Sequence, residues 1–136
     1  LDANVYLENV SITNNSLSQI DLSNNTALTS LNLYANFIEE LDLTQQSQLE
    51  YLDLSSVFLK QVAAPQSWDA ITYIDLTNAR FLDEADLLDA VFEGQANNPK
   101  TDGRILFNDL AVIIDRQIPL LQELVDDYGW TINIPE

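Results

Sequence analysis

The chain has 136 residues, 46% of them hydrophobic, so it is long and apolar enough to fold as one globular domain with its own core. Its formal net charge of −17 makes nucleic acid and anionic membrane surfaces poor partners, because an acidic surface repels phosphate. The absence of Cys, His and Met excludes a Ser-His-Asp triad, a Cys nucleophile and metal ligation through nitrogen or sulfur, and no apolar run is long enough for membrane insertion.

The first six residues align with the end of a repeating unit. Leu1–Tyr6 matches Leu22–Ala27, so residues 1–6 form a partial unit whose beginning would lie upstream. We therefore expect either more repeats or a different cap before residue 1, and a signal peptide there is left open.

Four units of one pattern follow, at residues 7–27, 28–48, 49–70 and from 71 to 82 onward. The apolar columns of the second unit are Leu28, Leu31, Leu33, Phe37 or Ile38, Leu41 and Leu43. Leu31 and Leu33 alternate with a polar position, which predicts a short strand. Each unit is too small to bury its apolar face alone, so the units must stack with their strands parallel.

These units resemble leucine-rich repeats, whose pattern is L-x-x-L-x-L-x-x-N-x-L. Because the second half of each unit repeats the theme, as in Leu41-Asp42-Leu43, they are most similar to the short 21-residue class of bacterial repeat. The resemblance covers about residues 1–82 and implies an α/β solenoid, a right-handed coil with a parallel sheet of short strands. Such proteins are common on bacterial surfaces and in secreted fractions, so it also implies an extracellular or cell-surface location.

Asparagine residues occupy the ninth column of the first two units. The family places an inward asparagine there to bond backbone groups at the bend, so we expect Asn15 and Asn36 to have this structural role. Val57 and Ala79 replace it in later units, and proline ends the segment Ala63-Ala64-Pro65. The coil is therefore expected to become irregular from about residue 57.

The 21-residue period stops after Phe81. The sequence predicts a helix that Asp83 caps and Gly94 ends, and a second helix from about Ile118 to Tyr128. Strands are predicted at Ile105–Phe107 and 130–134, with Trp68 and Trp130 in the core. Residues 83–136 are expected to be helix-containing terminal repeats that cap the array within the same domain.

Residues that flank the strand leucines should face outward on the sheet. They form three columns: Asn9, Ser30, Tyr51 and Tyr73; Ser11, Asn32, Asp53 and Asp75; Thr13, Tyr34, Ser55 and Thr77. Tyrosine offers a large apolar face and a hydroxyl at low entropic cost, so we expect Tyr34, Tyr51, Asp53, Tyr73 and Asp75 to bind a partner. The alternative is that these side chains only solvate the sheet.

Asp53 and Asp75 should lie on adjacent strands, about 4.8 Å apart. That spacing is close to that of a retaining glycosidase, but a flat sheet offers no cleft. A shared calcium ion is favoured over catalysis and stays open as an alternative, although the sequence has no D-x-D-x-D-G loop. We expect no catalysis, no metal and no cofactor.

The sequence therefore predicts a non-enzymatic, monomeric recognition scaffold. Its expected partner is a protein, which could be basic, at the cell surface or outside the cell. The alternative is a carbohydrate-binding module that captures a neutral polysaccharide at a bacterial surface. The identity of the ligand is not readable from the sequence.

Overall fold

The computed structural model describes residues 3–81, 85–106 and 118–133. Within these ranges the chain forms ten short strands and two helices. In chain order they are β1 (Asn9–Ser11), β2 (Ser30–Asn32), β3 (Glu40–Asp42), β4 (Tyr51–Asp53), β5 (Phe58–Leu59), β6 (Gln61–Ala63), β7 (Tyr73–Asp75), β8 (Arg80–Phe81), α1 (Ala85–Asn97), β9 (Arg104–Leu106), α2 (Ile118–Tyr128) and β10 (Thr131–Asn133).

The main sheet contains six parallel strands in the order β1-β2-β4-β7-β9-β10. Each turn of the coil adds one strand to this sheet. The Thr29 hydroxyl donates to the Glu8 carbonyl 21 residues earlier, and the Thr72 hydroxyl donates to the Glu50 carbonyl 22 residues earlier. The chain is thus a solenoid of about three regular turns, as the repeat predicts.

Alternation within each strand builds the core. The middle residue of a strand points inward and its neighbours point outward, so β1 and β3 show an exposed-buried-exposed pattern. The inward residues of successive turns include Val10, Leu31, Leu41, Leu52, Val62, Ile74 and Ile105, each at most 7% exposed. Burying one such side chain stabilises the fold by about 1.5–3 kcal/mol, so the stacked columns hold the coil together.

The return side of the coil is more regular than the sequence predicts. Strands β3 and β6 pair in parallel, and β5 pairs with β8, so irregularity from residue 57 is wrong. Pro65 lies beyond β6, while the carbonyl of Ala63 still accepts a bond of 2.7 Å from the Leu43 amide. Val57 fills the asparagine column as a buried apolar side chain, 2% exposed.

Asn36 confirms the predicted role of an inward turn asparagine. It is 3% exposed; its Nδ2 donates to the carbonyls of Ile12 at 2.6 Å and Leu33 at 3.0 Å, and its Oδ1 accepts from the Leu17 amide at 3.1 Å. One side chain therefore joins two consecutive turns. It follows Ala35, which has a left-handed φ of 54° at the bend.

Asn15 does not share that role, and this part of the prediction is wrong. Its side chain is exposed, and its Nδ2 donates only to the nearby carbonyl of Thr13 at 2.9 Å. The physical reason lies in what Asn36 bonds: its partners Ile12 and Leu17 belong to the preceding turn. The described residues include no turn that would supply the same partners to Asn15.

We expect Asn36→Ala to lower the free energy of unfolding by about 2 kcal/mol, because it leaves buried backbone groups of two turns without a hydrogen-bond partner. Urea denaturation is the measurement. Asn15→Ala is the matched control, since it removes the same side chain from the same column at an exposed site. Equal losses in the two variants would contradict the assigned role.

Buried polar contacts also join the turns at the other bend. The Asn25 Nδ2 donates to the Asn4 carbonyl at 2.7 Å, and the Gln46 Nε2 donates to the Leu22 carbonyl at 2.8 Å. In the next turn Trp68 takes this position, is fully buried, and donates through Nε1 to the Gln46 carbonyl at 2.9 Å. Three different residue types thus have the same structural role, since each donates a hydrogen bond to a backbone carbonyl of the preceding turn.

Helix α1 runs through Gly94 to Asn97, so the prediction that Gly94 ends it is wrong. The glycine serves a close approach instead: a Cβ there would lie 2.1 Å from the carbonyl oxygen of Trp68. The helix thereby covers the last regular turn. The predicted cap Asp83 lies outside the described residues.

The C-terminal part extends the main sheet. Ile74 is opposite Ile105, and Ile105 is opposite Ile132, so β9 and β10 add two strands in register. Helix α2 has the predicted bounds, and Gly129 follows it with a left-handed φ of 69°. Trp130 is 2% exposed, as predicted, and its Nε1 donates to the Lys100 carbonyl at 2.9 Å. Phe107 and residue 134 lie outside the described residues.

Candidate recognition surface

The outward face of the six-stranded sheet contains two of the three predicted columns in register. The predicted members Asn9, Ser30, Tyr51 and Tyr73 form one column, which Arg104 and Thr131 extend; the predicted members Ser11, Asn32, Asp53 and Asp75 form the other, which Leu106 extends. The structure therefore brings Tyr51, Tyr73, Asp53 and Asp75 together on two adjacent strands. Tyr34 is 38% exposed and lies just beyond the end of β2, at the border of this patch.

Tyr51 and Tyr73 form a stacked pair. Their ring centroids are 4.6 Å apart and their planes differ by 5°. Both rings are half-buried, and burial is the main reason why the pKa of each hydroxyl is raised above its ordinary value. The negative charges of Asp53 and Asp75 raise the pKa of Tyr51 further, so its hydroxyl is neutral at physiological pH.

Asp53 faces outward but is largely covered, with 9% of its surface exposed. Its Oδ1 accepts from the Ser55 amide at 2.9 Å and the Ser55 hydroxyl at 2.5 Å, and its Oδ2 accepts from the Asn32 Nδ2 at 3.0 Å. This carboxylate is thus held in place by its neighbours. A partner would interact mainly with the negative electrostatic potential of Asp53 and would not hydrogen-bond to its oxygen atoms.

Asp75 has freer oxygens. Its Oδ1 accepts from the Thr77 amide at 2.8 Å, while its Oδ2 has one long contact of 3.4 Å from the Tyr73 hydroxyl. Asp75 is therefore the more available carboxylate of the pair.

The same local bond recurs in several turns of the coil. In each case a side-chain oxygen accepts from the backbone amide two residues later. Asn32 accepts from Tyr34, Asp42 from Thr44 and Asp21 from Ser23. This turn, closed by a hydrogen bond between an Asp or Asn side chain and the backbone, explains why the repeat carries a short polar acceptor after the inward leucine. The spacing in L-D-L-S and L-D-L-T is the sequence signal of this structural role.

Arg104 is a residue that the repeat pattern misses. It is exposed and lies directly beside Tyr73 in the sheet register, although 31 residues separate the two in the chain because α1 intervenes. It brings a positive charge to the edge of the tyrosine pair. The surface thus changes from acidic at Asp75 to basic at Arg104.

In the described part of the chain, no group of three or more Asp, Glu, His or Cys side chains is placed to hold a metal ion. No helix in these ranges is long and apolar enough to cross a membrane. Comparison with protein-family models, curated proteins and solved structures finds no match to this chain.

Proposed function

We propose that this chain is a non-enzymatic recognition scaffold of the leucine-rich-repeat type, whose six-stranded sheet binds a protein partner outside the cell. The single observation that carries the proposal is the Tyr51–Tyr73 stack, which places two aromatic rings side by side on a rigid sheet. The repeat columns and the inward amide of Asn36 support the repeat type.

The orientation of the stack favours a protein over a sugar. At a centroid separation of 4.6 Å the facing sides of the two rings cover each other. Sugar rings pack flat against an open aromatic face, and only the outer faces of this pair remain for that contact. Both rings are half-buried, so their ring edges and hydroxyls remain for side chains and backbone groups of a protein.

Rigidity and charge add to this argument. The sheet holds the rings before a partner arrives, so binding loses little side-chain entropy there. The net charge of −17 and the carboxylates beside the rings favour a partner whose own surface is basic. An acidic scaffold of this kind is suited to solution outside the cell, where we place it.

Replacement of both rings tests the proposal. We expect Tyr51→Ala with Tyr73→Ala to abolish capture of partner proteins by the immobilised chain, since the aromatic anchors are lost. The free energy of unfolding should fall by the contribution of the stack, about 1 kcal/mol, and by the loss of the half-buried ring surface. The measurement compares the proteins retained from an extract by parent and variant, and the same two chains on a glycan array.

The matched control is Tyr51→Phe with Tyr73→Phe, which keeps the stack and removes the hydroxyls. Retention of the same proteins by the alanine variant would place the site elsewhere. Saccharides that bind the parent and are lost in the alanine variant would instead support the polysaccharide alternative.

A further inference from the structure

A groove of about 700 Å³ lies on the return side of the coil, over the β3–β6 sheet. It crosses three successive turns, because its lining comes from residues 18–21, from residues 37 and 39–42, and from residues 61 and 63. At about 4.8 Å per turn, the lining strands span roughly 10 Å, the width of an extended polypeptide with its side chains. This groove is separate from the tyrosine face.

The lining combines carboxylates with apolar surface. Its four charged residues are Asp21, Glu39, Glu40 and Asp42, and neither Lys nor Arg is among the described residues that line it. Phe37 lies in the lining with 65% of its surface exposed, while Leu41 is buried beneath. An exposed phenylalanine beside four carboxylates is more than a solvated acidic face, because the ring gains free energy only when something covers it.

The chain itself provides an example of a cation at this rim. The Lys60 Nζ lies 2.6 Å from the Glu39 Oε2, and both side chains are about half exposed. Hydrogen bonds from Ser23 and Thr44 lower the pKa values of Asp21 and Asp42, respectively, so both carboxylates stay ionised at neutral pH. Among the described residues no Lys or Arg forms an ion pair with Glu40 or Asp42, so the groove keeps negative charge at both positions.

We propose that this groove binds an extended, basic segment of a partner polypeptide, with lysine or arginine side chains at Asp21, Glu40 and Asp42 and an apolar side chain on Phe37. A second copy of this chain is a poor occupant, since two molecules of charge −17 repel each other. The proposal goes beyond the tyrosine face, because it assigns a second surface with a different chemistry.

A fluorescein-labelled peptide of alternating lysine and leucine is the probe, followed by fluorescence anisotropy with the full chain. Its glutamate-leucine counterpart should not bind. We expect Glu40→Gln with Asp42→Asn to weaken binding of the lysine peptide by roughly tenfold or more, because two carboxylates that pair with its lysines are lost. Asn at position 42 can still accept the turn bond from Thr44, so the fold is retained.

Matched controls separate a site from general attraction. Glu93→Gln with Glu123→Gln removes the same charge from two exposed helix positions and should leave affinity within about twofold. Phe37→Ala should weaken binding, whereas Phe58→Ala, an exposed phenylalanine outside the groove lining, should not. Equal weakening by the two charge variants, or no binding by the parent, would overturn the proposal.

The tyrosine variant completes the design. If Tyr51→Ala with Tyr73→Ala binds the lysine peptide as tightly as the parent, the groove and the sheet face are independent sites. If the tyrosine variant weakens binding of the peptide and the Glu40→Gln with Asp42→Asn variant does not, the groove proposal is overturned and the basic segment binds the sheet face.

Discussion

A chain that ends at residue 82 is expected to aggregate. In the full chain β9 covers the edge of β7, with the Arg104 amide donating to the Thr72 carbonyl at 2.8 Å and the Leu76 amide to the Leu106 carbonyl at 2.9 Å. Helix α1 covers the last regular turn with Leu87, Leu88 and Val91, all fully buried. The shortened chain exposes this apolar layer and a free strand edge together.

Size-exclusion chromatography with light scattering measures the outcome, and circular dichroism follows unfolding of any soluble material. Removal of residues 1–6 is the control at the other end. We expect that variant to stay soluble, because Val5 and Tyr6 are already 43% and 86% exposed. A soluble, monomeric fragment 1–82 that unfolds cooperatively would make residues 83–136 a separate domain.

The main sheet could be predicted because its signal repeats. Leu31 and Leu52 are flanked by leucines at the same spacing, and the structure pairs them directly. Every turn stacks on the next in the same way, so one correct alignment fixes the register of all the regular strands. Helix α2 was also predictable, since Pro119 and Gly129 mark its two ends.

Contacts that do not repeat could not be predicted in this way. Asn25, Gln46 and Trp68 each donate to a carbonyl of the preceding turn through a different type of side chain, so no column of identical letters marks them. The continuation of the return sheet past residue 57 was missed for a related reason. Its pairing depends on backbone groups of Ala63, and side-chain type says little about those.

The candidate surface was predictable in position but not in detail. Period-2 alternation places Asp53 and Asp75 in one outward column, which the structure confirms. Alternation does not reveal that Asn32 and Ser55 cover Asp53, because that depends on side-chain geometry. Arg104 escapes the repeat because α1 lengthens its turn.

Gly94→Ala is expected to destabilise the fold by about 3 kcal/mol, the opposite of its usual effect inside a helix. Alanine normally stabilises a helix by about 1 kcal/mol relative to glycine. Here the added Cβ would lie 2.1 Å from the Trp68 carbonyl oxygen and 2.5 Å from its carbonyl carbon. Backbone atoms cannot swing aside, so α1 must move away from the turn that it covers.

Ala96→Gly is the matched control, because Ala96 is exposed on the same helix two residues away. It should cost only the intrinsic preference of about 1 kcal/mol. Urea denaturation of both variants measures the two losses, and the sign at position 94 decides between two explanations for the glycine. A Gly94→Ala chain that is more stable than the parent would mean that α1 does not rest on Trp68, because the ordinary helix preference would then be the only effect present.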